Sequence, residues 1–396
     1  MLVSKQSIRL PQQTSQQPTV VPLIQEYGLI LSALILSLLG LTFIASTSLH
    51  IADKSFSEPL YYFWKQLNYL LLGVSITVVS LKLPLRLWQF LSVPLLFLSL
   101  LLLFIVLIPG IGKELNGSMR WITFGQINFQ PSEFVKLFII LYLSGYLVRR
   151  SSEIQESITG FLKPVILVSF IAGLLLLEPD YGAVIVFFAT VLGMLFLAGV
   201  PVRQFILWII IVSLILLALL LFTPYRWERL TSFINPWSDP FNTGFQLTQA
   251  LIAIGSGGLF GVGVGNSVQK LTYLPEAHTD FLFAILAEEL GLFGVITVIS
   301  LFGIVVFRVF LIAIRAERIA LYFESYLTYG IGLIIGLQAA INLGVNMGLL
   351  PTKGLTLPFM SYGGSSLVIT WLMLGLILRV DYETRRKASN SRQTEW

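Results

Sequence analysis

The feature of the sequence best suited to chemistry is a carboxylate at the edge of an apolar run. Leu274-Pro-Glu-Ala-His-Thr-Asp280 closes a long loop and Phe281 opens a hydrophobic stretch, so Asp280 falls at a helix N-terminus. Asp at such a place caps the first free N–H groups of the helix. It can equally serve as a general base, placed where the lipid anchor and the polar head of one substrate both reach it. A two-carboxylate glycosidase fits less well. Glu288 lies eight residues on, a rise of ~12 Å along a helix, beyond the ~5–9.5 Å that such pairs span. Glu289 projects to the opposite side of that helix, and both carboxylates read as buried polar struts.

Other polar residues interrupt apolar surroundings. Glu133 and Lys136 are three apart in Gln130-Pro-Ser-Glu133-Phe-Val-Lys136, close enough to pair on one helical face. Ionisable groups inside such segments face a bundle interior or a watery cavity, as a structural clamp or a functional site. Glu178-Pro-Asp180 forms a tight turn in which Asp180 can cap the next helix. Arg120 and Trp121 offer a cation for phosphate and an aromatic face for sugar, although an interfacial anchor also explains Trp121. The glycines between Gly258 and Gly265 suggest a dinucleotide fingerprint, but that needs a strand and a βαβ unit, so turn geometry is the better reading.

The elements that must position these groups are membrane helices. Of 396 residues, 56% are hydrophobic and only 11% charged, against about 25% charged in soluble domains. The apolar blocks approach the length that crosses a ~30 Å hydrocarbon core. This excludes a soluble enzyme, a disordered scaffold and a single-span anchor. We read an all-α, polytopic membrane protein with about ten transmembrane helices, near 27–49, 61–81, 87–109, 132–148, 162–177, 181–199, 203–223, 281–307, 322–348 and 364–380. Residues 1–22 read as a disordered tail, 23–382 as the membrane domain and 383–396 as a second tail. Sixteen of the 25 Lys and Arg residues fall on one side, which makes both termini cytoplasmic. The opposite, outer side then holds the loop 109–131 and a larger one, 224–280, between spans seven and eight. Phe245 to Ile254 in the larger loop reads as an amphipathic helix. Gly332, Gly336, Ala340, Gly344 and Gly348 mark a close-packing face of span nine, and 351–366 reads as a broken, re-entrant segment. Cysteine is absent and only His50 and His278 are present, so a metal would need oxygen ligands.

Taken together, Arg120-Trp121, Gln130-Pro-Ser-Glu133, Glu178-Pro-Asp180, Leu274-Pro-Glu-Ala-His-Thr-Asp280 and Ser361-Tyr-Gly-Gly-Ser-Ser366 resemble, in order, the motifs of the SEDS family of cell-wall polymerases. Gly263 to Lys270 and Leu350 to Thr356 are similar to its cell-division branch more than to its elongation branch. The resemblance implies a peptidoglycan glycosyltransferase that polymerises lipid II at the outer face of the inner membrane during septal synthesis. It implies Asp280 as the catalytic carboxylate, and a substrate site drawn from Arg120, Glu133, Lys136, Asp180, Gln249, Lys270, His278 and Ser361. The polar wall expected beside Asp280 is Glu133, Lys136, Asp180 and Gln249, in a cavity open sideways to lipid. The resemblance further implies a class B penicillin-binding transpeptidase as partner, other division proteins, and a divalent cation (Mg or Mn) as a cofactor that need not be required. The competing functions are a lipid II flippase and a non-catalytic division scaffold.

Overall fold

Hydrocarbon offers no partner for a backbone N–H or C=O, so a segment that enters it must satisfy its own hydrogen bonds, and the apolar blocks become helices. The computed structural model describes residues 22–393 apart from 116–117, 126, 222–231, 272 and 353; most of the expected N-terminal tail lies outside the described residues. In chain order the helices are α1 (Pro22–Phe56), α2 (Tyr61–Lys82), α3 (Leu85–Val106), α4 (Pro131–Arg149), the short α5 (Ser151–Glu156), α6 (Ile158–Leu177), α7 (Tyr181–Leu197), α8 (Val202–Leu221), α9 (Phe245–Ser256), α10 (Leu282–Arg318), α11 (Tyr322–Asn346) and α12 (Gly364–Gln393). Among the described residues, seven helices are long and apolar enough to cross a membrane: α1, α3, α4, α6, α10, α11 and α12. The chain is a multi-pass, mainly helical membrane protein. α2, α7 and α8 overlie the other expected spans, α7 and α8 as shorter apolar helices.

The interior is built around α4 and α11. α4 is mostly buried, and its Glu133 and Lys136 are buried within the bundle. α11 packs on α4, α7 and α10. Its small residues permit the close approach to α10: a Cβ on Gly332 would lie 2.9 Å from Val309 Cγ1. Elsewhere α12 packs along α2, and α1 along α10.

Three features depart from the sequence-based expectation. The outer loop after α3 is a three-stranded antiparallel sheet of β1 (Gly112–Leu115), β2 (Ser118–Phe124) and β3 (Ile127–Phe129). Leu115 pairs with Ser118. Several helices outrun their apolar cores. α1 continues to Phe56 and α10 to Arg318, and α12 runs to Gln393, so the expected tail from 383 is helical almost to its end. That extension carries i,i+4 pairs, Arg379 with Glu383 at 2.8 Å and Arg385 with Asp381 at 2.9 Å, the spacing that supports a solvated helix.

The third departure is a break inside α10. Gly291 has φ 65° and ψ −160°, a conformation open to glycine. The glycine-rich turn after α9 fills the break. Leu292 and Phe293 N–H donate to the carbonyls of Gly258 and Leu259 at 2.9 and 3.2 Å, while Val262 and Gly263 N–H donate to Glu288 and Glu289 carbonyls at 3.0 and 3.1 Å. Any Cβ on Gly261 would meet Glu289 O at 2.0 Å. The turn therefore replaces hydrogen bonds that the interrupted helix cannot make with itself, which answers why this stretch is rich in glycine.

Candidate active site

Asp280 is half-buried, one residue ahead of the N-cap of α10. The cap position falls to Phe281, whose side chain caps nothing. The backbone is held in place by α11. The Asn342 and Asn346 amides each donate to the Asp280 carbonyl at 3.0 Å, and Asn346 Oδ1 accepts from Ala284 N–H at 3.1 Å. The carboxylate lies against Gly354: a Cβ there would sit 3.1 Å from Asp280 Oδ2. Only a residue without a side chain leaves that face of the carboxylate clear.

Gly354 belongs to the irregular stretch 347–363 between α11 and α12, where Leu355, Leu357, Phe359 and Met360 are buried. Non-helical backbone at such depth needs side-chain partners, and α11 supplies them. Asn342 Nδ2 donates to Leu355 O, and Gln338 Nε2 donates to Thr356 O at 2.9 Å. Lys136 reaches the same point, donating to Gln338 Oε1 at 3.0 Å while pairing with Glu133 at 2.8 Å. The stretch 354–356 thus joins Asp280 to the Glu133–Lys136 pair. Gln338, Asn342 and Asn346 were not among the expected site residues, although polar side chains every four positions in an apolar span are a legible signal.

Asp180 reaches this region from the other side. It caps α7 by accepting Ala183 N–H at 3.2 Å, and a Cβ on the nearby Gly182 would lie 2.9 Å from Leu355 Cγ. Arg120, on β2, donates through Nε to Glu178 O at 3.1 Å and through an Nη to Pro179 O, with its other Nη 3.9 Å from Asp180. A guanidinium carries five N–H donors, so Arg120 is held yet has donors left for an anion. Glu178 is fully buried and neither carboxyl oxygen has a hydrogen-bond partner among the described residues. Burial, reinforced by the neighbouring Asp180 and opposed by Arg120, pushes its pKa up to about 9, so it is a neutral acid at pH 7.

The remaining expected residues lie apart from this convergence. Ser361 accepts Leu357 N–H at 2.9 Å on its hydroxyl and Gln66 Nε2 at 3.0 Å on its carbonyl, holding the broken segment's shape. Gln249 is half-buried on α9 and makes no hydrogen bond to the described residues. Lys270 is spoken for: its ammonium donates to Glu289 Oε1, Ser46 Oγ and Gly265 O at 2.8, 2.8 and 2.6 Å, which uses all three of its donors. Glu288 and Glu289 bind the turn 265–268, as struts. A cavity of about 150 Å³ lies beside Lys270, between the end of α1 and the turn. His278 packs against Tyr62 and Tyr362 at ring distances of 4.9 and 5.6 Å. Burial depresses its pKa, against the opposing effect of Glu276. Lys353 lies outside the described residues.

A divalent cation held by protein alone would need several oxygen ligands. Among the described residues no three His, Cys, Asp or Glu side chains come together to hold one.

The family described as "Cell cycle protein" (FtsW/RodA/SpoVE) matches residues 27–386. A protein of Nitrosococcus halophilus named probable peptidoglycan glycosyltransferase FtsW is 56% identical over 347 residues, 88% of this chain and 89% of that one. Its counterpart of the same name in Coxiella burnetii is 54% identical over 358 residues, 90% and 96% of the two chains. Among solved structures, a chain from work titled "Structural coordination of polymerization and crosslinking by a peptidoglycan synthase complex" superposes with a TM-score of 0.76 at 30% identity, covering 91% of this chain and 98% of that one. Thermus thermophilus rod shape determining protein RodA follows at 0.66 and 31%, covering 90% and 97%. With the family matched over nearly the whole chain and the fold shared with solved members, this protein belongs to the FtsW/RodA/SpoVE family of cell cycle proteins.

Proposed function

We propose that this protein is a peptidoglycan glycosyltransferase that polymerises lipid II into glycan strands for the division septum, with Asp280 as its general base. The observation that carries the reading is the convergence at 354–356. There a half-buried carboxylate, fixed through its backbone by two asparagines, meets the buried Glu133–Lys136 pair. A pure scaffold has no need of such a constellation inside apolar helices.

The reaction is one inverting displacement. Asp280 accepts the proton of the acceptor GlcNAc 4-hydroxyl, which attacks the anomeric carbon of the donor MurNAc as the lipid pyrophosphate leaves. General-base assistance of this kind contributes about 10²–10⁴-fold. Arg120 is the better cation for the departing pyrophosphate, because its two anchoring hydrogen bonds leave donors available. Lys136 supports the site through Gln338 and adds its charge from beneath. Lys270 is withdrawn from this role, since its donors are used within its own cluster. A metal is given no step. The polyprenyl chain stays in the outer leaflet while the head group enters sideways.

The same reading has ten spans, with α2, α7 and α8 crossing beside the seven longer helices, both termini cytoplasmic, and Asp280 at the outer face of the bacterial inner membrane. The partner is a class B penicillin-binding transpeptidase, supported by the likeness to a chain of a peptidoglycan synthase complex. The test is polymerisation of purified lipid II by the protein with its transpeptidase, with and without Asp280→Asn. We expect loss of glycan synthesis with folding intact; parent-level synthesis by the variant would sink the base assignment. A flippase would keep translocating fluorescent lipid II after the substitution.

A further inference from the structure

The connection between α1 and α2 is short, and Ser57 takes a positive φ of 56°, so the last residue of α1 folds back onto the first residues of α2. Phe56 stacks on Tyr61 with ring centroids 4.1 Å apart and an interplanar angle of 17°. Tyr62 meets Phe56 edge-on at 5.9 Å and Tyr362 edge-on at 5.1 Å, and lies 4.9 Å from His278. The result is a continuous ladder of rings. It starts at Phe56, whose side is 49% exposed, and ends at His278, two residues before Asp280. The inner end is tied to the site by backbone, since Tyr362 N–H donates to His278 O at 3.0 Å.

Its polar edges are unused. The hydroxyls of Tyr61, Tyr62 and Tyr362 make no hydrogen bond to the described residues, and His278 Nδ1 is buried without a partner among them. A buried imidazole nitrogen ordinarily finds a partner, whereas Tyr61, Tyr62 and Tyr362 are only half-buried. Aromatic residues that anchor a protein in the membrane interface present an apolar body to lipid and a polar tip to the head groups. This ladder instead runs inward, ring against ring, toward a carboxylate. Rings with apolar faces and edges that both donate and accept hydrogen bonds match a pyranose, which has apolar C–H faces and a rim of hydroxyls.

We propose that Phe56, Tyr61, Tyr62, Tyr362 and His278 form a saccharide-binding track that holds the glycan strand beside Asp280, with Phe56 at its outer lip. The track rests on the glycosyltransferase reading and extends it: it sets how long the strand stays bound between additions. Weakening it should release strands early.

The test uses the full-length protein with its transpeptidase partner and purified lipid II, resolving strand lengths by gel for the parent, Tyr62→Ala, Tyr62→Phe and Phe56→Ala. Losing the central ring should shorten strands roughly fivefold, and losing the outer one about twofold. Tyr62→Phe, which keeps the ring, should fall between Tyr62→Ala and the parent. In parallel, saturation-transfer NMR follows a lipid-free GlcNAc–MurNAc oligosaccharide on the Asp280→Asn protein, where added Tyr62→Ala should abolish transfer. If Tyr62→Ala does not fold, Phe56→Ala carries both measurements, because its ring is half exposed. Parent-length strands or undiminished transfer would overturn the track, as would variants that change only detergent extraction, the mark of a membrane anchor. Should the parent fail to polymerise, the glycosyltransferase reading falls, while oligosaccharide binding still reports on the track.

Discussion

Two buried lysines in this protein have nearly the same chemistry and opposite consequences. Lys136 pairs with Glu133 at 2.8 Å, and Lys270 pairs with Glu289 at 2.8 Å. Around Lys136, the hydrogen bonds lead outward through Gln338 to the segment that flanks Asp280. Around Lys270, they close on themselves. The ammonium, Ser46, the turn at 265–268 and two glutamates bind one another beside the break in α10. A buried ion pair is therefore no sign of a site by itself; what its neighbours hold decides. The first cluster borders the segment that flanks Asp280, the proposed base. The second fastens a loop into an interrupted helix.

That difference can be broken or sharpened by substitution. Lys136→Ala should have the largest effect, a loss of about 10²-fold or more in polymerisation, together with lower thermal stability, because Glu133 is left as an unpaired charge. Adding Glu133→Gln should restore the melting temperature without restoring glycan synthesis. Recovery of synthesis in the double variant would reduce Lys136 to a clamp and erase the contrast. Lys270→Ala should cost about 3–5 kcal/mol of stability, as buried pairs do when one partner is removed, and the protein that remains folded should keep a near-parent rate per molecule. A purified, stable Lys270→Ala protein that binds lipid II but cannot polymerise it would return Lys270 to the substrate site.

The smallest effect concerns Glu178, which belongs to neither ion pair. Its folded pKa of about 9 lies above the ordinary carboxylate value, so the folded state holds a proton that the unfolded chain releases near pH 4–5. Its favourable contribution is complete below that range and is lost progressively as pH rises toward 9. Thermal melts of the parent against Glu178→Gln should therefore diverge with rising pH, the variant gaining about 2 °C for each kcal/mol removed. Parallel curves from pH 5 to 9 would mean that Glu178 is ionised and paired.

Much of this arrangement was legible in the residues. Glu133 and Lys136 stand three apart at the start of an apolar span, and they pair. Asp180 follows a proline turn and caps α7. Proline and glycine inside a hydrophobic stretch marked 351–366 as broken, and 354–363 is irregular and mostly buried, with α12 beginning at Gly364. The missing pieces share a cause: each depends on a partner far away in the chain. Nothing local in Gly291 reveals that a turn thirty residues earlier fills its break. Lys270 looked available because its two neighbours, Ser46 and Glu289, come from other elements. Gln338, Asn342 and Asn346 were readable by their spacing, and the glycines on the same helix drew attention to packing instead. The three-stranded sheet after α3 was hidden by the run of apolar helices around it.

The central claim is that the reaction is organised around the Lys136 cluster and not around the Lys270 cluster. Its most direct test is a side-by-side measurement of lipid II polymerisation, with the transpeptidase present, by two proteins that each lack one whole pair. These are Glu133→Gln with Lys136→Met, and Lys270→Met with Glu289→Gln. Removing both partners leaves no isolated charge in either protein, so folding can be matched before rates are compared. The account predicts that the first is folded and inactive and that the second is folded and makes glycan strands. An active first protein beside an inactive second one would contradict it.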